Sequence, residues 1–174
     1  MYLGHVGLAL GAKGIRPGIA LLVLLVATYA PDWMDAGLCI LGAYDPRGMF
    51  SHSFPAVALL GAVAAAVYAL YAGDLVGGLV VGAVILSHAL LDLVTGYKPT
   101  WPGGPMIGLG LYRQPLADLA VESVVIVIGV GLYRRTLPPR SRPWIDVAAM
   151  LGALLVMQTA ITAIRALTVS LPKC

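Results

Sequence analysis

Ser87-His88-Ala89-Leu90-Leu91-Asp92 closes an apolar run, Leu75 to Leu93, that otherwise reads as a membrane helix. The spacing decides the reading. Residues four apart share one face of a helix, so His88 and Asp92 project together, roughly 6 Å apart. A carboxylate near hydrocarbon costs about 2.5–3.5 kcal/mol on insertion scales. A cation would offset that cost, and an imidazole and a carboxylate aimed at one point make half of a metal site. Hydrogen bonding at the headgroups also accounts for such a pair, so the case for a metal rests on what surrounds it.

The surroundings are those of a membrane protein. Of 174 residues, 60% are hydrophobic and only 11% charged, and the mean hydropathy is +0.92. A soluble domain carries about 25% charged residues. The deficit predicts an all-α, polytopic helical bundle, one domain over residues 1–174, with about four to five spans. The net charge of +3 is too small, and its basic residues too scattered, to predict a nucleic-acid partner. The expected partner is the lipid bilayer; oligomeric state is not legible. Cys39 and Cys174 fit no zinc spacing and no disulfide framework. Residues 1–13 lack the basic start of a cleaved signal peptide.

Along the chain, Met1–Ala12 and Ile19–Ala30 are apolar but too short to cross about 30 Å alone. The basic turn Lys13–Gly18 joins them, and Pro31 stops the second. A tilted N-terminal helical hairpin is expected, with His5 and Asp32 at one end. Pro31-Asp32-Trp33-Met34-Asp35 precedes a weakly apolar stretch, and Asp45-Pro46-Arg47-Gly48 is a turn. Spans are then expected over Pro55–Gly73, Leu75–Gly96, Leu116–Tyr133 and Trp144–Leu167. Their many Gly and Ala residues suit close packing in lipid. A Gly/Pro-rich loop, Tyr97–Pro115, holds Lys98, Trp101 and Arg113, and the loop before the last span holds Arg134, Arg135, Arg140 and Arg142.

Alternating the spans gathers His5, His52, His88, Asp32, Asp35, Asp92, Asp118 and Glu122 at one end, face A. The opposite face, B, receives Asp74, the Lys13–Arg16 turn and the four-arginine loop. B is the more basic, so the positive-inside rule makes it cytoplasmic and A extracytoplasmic. Asp118 and Glu122 repeat the four-residue spacing of His88 and Asp92. The helix dipole accounts for Asp118 in a first turn, but poorly for the deeper Glu122. In Ser51-His52-Ser53, Ser53 is a possible helix N-cap. Asp32 and Asp35, three apart, can face one site.

In order, His5, Pro31-Asp32-Trp33-Met34-Asp35, Arg47-Gly48-Met49-Phe50-Ser51-His52-Ser53 and His88 to Asp92 resemble the landmarks of a family. It is the membrane-bound metal-dependent hydrolase family typified by the bacterial inner-membrane protein YdjM. The likeness covers about residues 1–125, and the last span has no counterpart in it. More remotely, the order is similar to that of zinc-dependent phospholipase C and P1 nuclease, which hold three zinc ions. Asp118 stands where that group has a histidine, and one further histidine of the group has no equivalent.

The resemblance implies hydrolysis of a phosphate ester, with lipid as a reachable substrate, in the inner membrane. Divalent metal, zinc first and two or more ions, would be held by His5, Asp32, Asp35, His52, His88, Asp92, Asp118 and Glu122. Asp32 or Asp35 would be ligand or general base. Arg47, Lys98 and Arg113 are candidate phosphate contacts. Carboxylate-rich ligation also suits manganese, iron or magnesium. From another class, a transporter or proton-coupled carrier would use intramembrane acids and histidines too. Gathering at one face rather than at the midplane argues against it. A membrane lipid phosphatase would need an arginine where Gly82 stands.

Overall fold

A computed structural model describes residues 2–138 and 144–167. Seven α-helices account for most of them: α1 (Gly4–Ile15), α2 (Leu21–Thr28), α3 (Ala30–Ile40), α4 (Phe54–Ala72), α5 (Leu75–Thr95), α6 (Pro115–Tyr133) and α7 (Trp144–Leu167). The last four are long and apolar enough to cross a membrane. They fall within one residue of the expected spans. The fold is the expected all-α membrane bundle, with α1 and α2 packed as the short hairpin.

The first correction concerns Pro31. The helical path does not end there: α2 stops at Thr28, and α3 begins at Ala30 with Pro31 in its first turn. Proline lacks only an N–H that a first turn leaves unpaired, so it starts a helix as readily as it stops one. The two helices meet at 60°. Asp32, Asp35 and the stretch after them are therefore helical. A second correction concerns Cys39, which is disulfide-bonded. Cys174, Arg140 and Arg142 lie outside the described residues.

Small residues set the helix spacing. A Cβ on Gly82 of α5 would meet the carbonyl oxygen of Gly61 in α4 at 2.9 Å and Ala65 at 3.1 Å. A Cβ on Gly7 of α1 would stand 2.8 Å from the Ile126 backbone in α6. With no hydrophobic drive between helices in lipid, such close approach is what holds them. At face B, Arg16 pairs with Asp74 at 3.1 Å, and Asp74 also caps α5 by accepting from the Gly77 N–H. This places Arg16 beside the start of α5, as the alternation of spans expected, although Lys13–Ile15, expected in the turn, are the last residues of α1.

The loop after α5 carries a two-stranded antiparallel ribbon, β1 (Lys98–Pro99) with β2 (Met106–Ile107). It folds back onto the helix end, with the Leu109 N–H donating to the Leu93 carbonyl at 2.7 Å. Gly110, at φ 65°, turns the chain there, and its N–H donates to the Gly96 carbonyl.

Candidate metal centre

At 1.5 Å per residue, His88 stands about 20 Å along α5 from Leu75 and about 10 Å short of Thr95. Its Nδ1 lies 2.7 Å from the Thr28 carbonyl oxygen. That carbonyl ends α2, so it has no partner further along that helix. A carbonyl only accepts, so Nδ1 carries the proton and Nε2 turns its lone pair inward. His52 is set the same way. Its Nδ1 is 2.7 Å from Ser51 Oγ and 3.3 Å from Asp35 Oδ2, two groups that can accept a hydrogen bond from Nδ1 and leave Nε2 to ligate. The turn at Asp45–Gly48 delivers it: the Asp45 carboxylate accepts from the Arg47 and Met49 N–H groups. Ser53 occupies the N-cap position of α4, but its side chain makes no capping bond.

Four ligand-type atoms converge. His52 Nε2 is 3.3 Å from His88 Nε2 and 3.3 Å from Asp32 Oδ1. Asp92 Oδ2 is 3.4 Å from His88 Nε2 and 3.7 Å from His52 Nε2. Asp32 Oδ1 is 3.9 Å from His88 Nε2. Two imidazole lone pairs facing each other repel unless a proton or a metal cation stands between them. Ligands at about 2.0–2.1 Å on a tetrahedral ion stand about 3.3–3.4 Å apart, and the shortest separations have that length.

His5 extends the set. It is fully buried, and neither ring nitrogen has a hydrogen-bond partner among the described residues. An unpaired buried polar group costs about 1–3 kcal/mol, which a ligand role would remove at one of the two nitrogens. The ring stacks on Tyr29 and meets His88 edge-on at 4.1 Å between centroids. Its Nε2 is 3.9 Å from Asp92 Oδ1, so Asp92 turns one oxygen to His5 and the other to His52 and His88. Among the described residues, two overlapping groups could each hold a metal ion: His5, His88 and Asp92, all buried, and Asp32, His52 and His88. His88 belongs to both, but its one free lone pair serves a single ion.

Other expected ligands do other work here. Asp35 reaches His52 from behind, at the nitrogen facing away from the cluster. Glu122 is fully buried and binds backbone: its carboxylate accepts from the N–H groups of Tyr2 and Gly4, all at 2.9 Å. Gln158 of α7 accepts from the Leu3 N–H at 3.1 Å. Leu3, at the N-cap of α1, has no capping side chain, so α6 and α7 cap α1 from outside and set the height of His5. Asp118 is buried nearby, outside both groups.

Among the expected phosphate contacts, Lys98 pairs with Asp92 Oδ2 at 2.7 Å. Arg113 lines a pocket with Lys98, while Arg47 is exposed in its turn and lines none of the described pockets. Sequence reasoning missed Thr28, whose contribution is a main-chain carbonyl. It also missed Gln158 and Arg165, two polar residues within the otherwise apolar last span.

The fold and the site together define a helical membrane protein with a buried His/Asp cluster able to hold metal. The family model described as YdjM inner membrane protein matches residues 3–165, and the chain belongs to that family. The match runs through the last span, which the sequence resemblance had left without a counterpart. No curated protein and no solved structure matched the chain.

Proposed function

We propose that this chain is a membrane-embedded, metal-dependent hydrolase that cleaves a phosphate ester of a lipid or similar amphiphile. The observation that carries the reading is the convergence of His52 Nε2, His88 Nε2 and Asp92 Oδ2 at 3.3–3.7 Å, with Asp32 Oδ1 3.3 Å from His52 Nε2. His52, His88 and Asp92 would hold one ion with a coordination position left for water, and His5 with Asp92 would hold a neighbouring one. Zinc suits the imidazoles best; manganese, iron or magnesium suit the carboxylates. When bound, such an ion makes a water nucleophilic near neutral pH and polarises a phosphoryl oxygen.

The chain's own residues do the rest. Thr28 and Asp35 hold His88 and His52 in the tautomer that presents Nε2, an outer shell of the kind that orients ligands. Asp32, with a side chain 48% exposed beside three buried partners, is the carboxylate placed to take a proton from water. An apolar slot of about 470 Å³ between α5 and α6, floored by α1, runs past Ser87 and Leu91 and suits an acyl chain. The remote likeness to zinc-dependent phospholipase C and P1 nuclease points to the same reaction class. The basic residues of face B fit a site on the extracytoplasmic side.

The test is elemental analysis of purified protein beside a hydrolysis screen of phosphomonoesters, phosphodiesters and phospholipids. At least one equivalent of divalent metal per chain is expected, with His88→Ala losing both metal and hydrolysis. A metal-free wild type, or activity untouched by His88→Ala, overturns the proposal.

A further inference from the structure

We propose that Lys98, Arg113 and Arg165 form an anion subsite that seats a phosphate-type group at the mouth of the metal centre. It deepens the hydrolase reading and rests on it only for taking that anion to be part of the substrate. The pocket measures about 360 Å³, within the range of small-ligand sites. The return of the loop onto α5 builds it. Hydrogen bonds from Leu109 to Leu93 and from Gly110 to Gly96 bring Tyr97 and Lys98 against Tyr112 and Arg113. Arg165, near the end of α7, completes the wall.

Aromatic rings hold both guanidinium groups. Arg165 lies 3.5 Å over the Tyr112 ring, and Arg113 lies 5.5 Å from the Tyr97 centroid. Stacking fixes the plane of a guanidinium while its remaining N–H groups can donate to an anion; Arg165 also lies 5.5 Å from the Tyr2 centroid and hydrogen-bonds the Tyr2 side chain. Arg165 Nη1 is buried with no acceptor among the described residues. Neither arginine forms an ion pair among those residues. Asp118 acts on Arg165 electrostatically and Asp92 pairs with Lys98, so three cations face two carboxylates. Lys98 links the two places, since it lines the pocket and touches a metal-ligating carboxylate. The subsite lies at the A ends of α5, α6 and α7, beside exposed Trp101, Leu109 and Leu116, where headgroups lie in a bilayer.

The experiment uses full-length, metal-stripped protein in detergent and reads the thermal shift on titration. Inorganic phosphate and dihexanoyl phosphatidic acid are the probes, with dihexanoyl phosphatidylcholine and chloride at matched ionic strength beside them. Both probes are expected to raise Tm, and Arg113→Gln and Arg165→Gln each to weaken apparent affinity at least tenfold. Arg165→Lys, which keeps charge but not the planar fork, falls between. Tighter binding of phosphatidic acid than of phosphate assigns the anion to a lipid headgroup; equal binding assigns it to a soluble phosphate. If Arg165→Gln does not fold, Arg113→Gln and Arg165→Lys carry the comparison. Equal affinity in wild type and the arginine variants, or shifts no larger than chloride gives, overturns the subsite. His88→Ala is expected to keep phosphate binding, so failure of the hydrolase reading leaves this result standing, and the reverse.

Discussion

A histidine is oriented as a metal ligand when something else holds its other nitrogen. His88 and His52 both meet that condition, one through a main-chain carbonyl and one through Asp35 and Ser51. Glu122 shows the opposite case, a buried carboxylate spent on backbone N–H groups. The two roles separate by experiment. Glu122→Ala strands donors at the start of α1, each costing about 1–3 kcal/mol, and lets His5 drift. A lower Tm and weaker metal affinity are expected, with full stoichiometry at saturating metal. His88→Ala is expected to lose stoichiometry itself. Thermal melts and metal titration of both variants check this; a Glu122→Ala melt equal to wild type would refute the cap.

The break between α2 and α3 is the element-scale device that makes the centre. An unbroken helix would have kept the Thr28 carbonyl for its own ladder and left His88 Nδ1 unpaired in the interior. The turn of 60° also swings Asp32 and Asp35 toward His52. At the other face, Asp74 fastens α5 to the hairpin. The Gly77 N–H, with Arg16 beside it, holds its carboxyl below the ordinary carboxylate range. A carboxyl with a depressed folded pKa adds stability that is present above its unfolded pKa, and that stability is lost as pH falls through the folded pKa. Melts across the acid range should therefore show less acid loss in Asp74→Asn than in wild type, from a lower starting Tm at pH 7. Parallel curves for the two proteins would remove Asp74 from the acid response.

The whole molecule is a bundle whose chemistry is recessed. His88 lies about 10 Å below the A end of α5, under the ribbon loop and beside the Lys98, Arg113 and Arg165 pocket. The close glycine contacts of α4 with α5 and of α1 with α6 hold the frame. Orientation belongs to this scale, because only the sum of loop charges sets it. With face A extracytoplasmic, Trp101→Cys should react with a membrane-impermeant thiol reagent in intact cells. Labelling only after lysis would invert the topology.

Spans, hairpin and the clustering at face A were legible in the sequence, because hydropathy and the four-residue helix period act locally. So was the pairing of His88 with Asp92, two side chains on one helix. Three things waited for the tertiary structure. Pro31 is compatible with both ending and starting a helix, and only packing chose. Asp118 and Glu122 carry the same spacing as His88 and Asp92, yet Glu122 meets the start of α1 and Asp118 lies outside the cluster. A carboxylate has no memory of its spacing once its neighbours come from other helices. Arg165 joins Lys98 and Arg113 across the bundle for the same reason: a pocket is a property of three segments at once, and no window along one chain contains it.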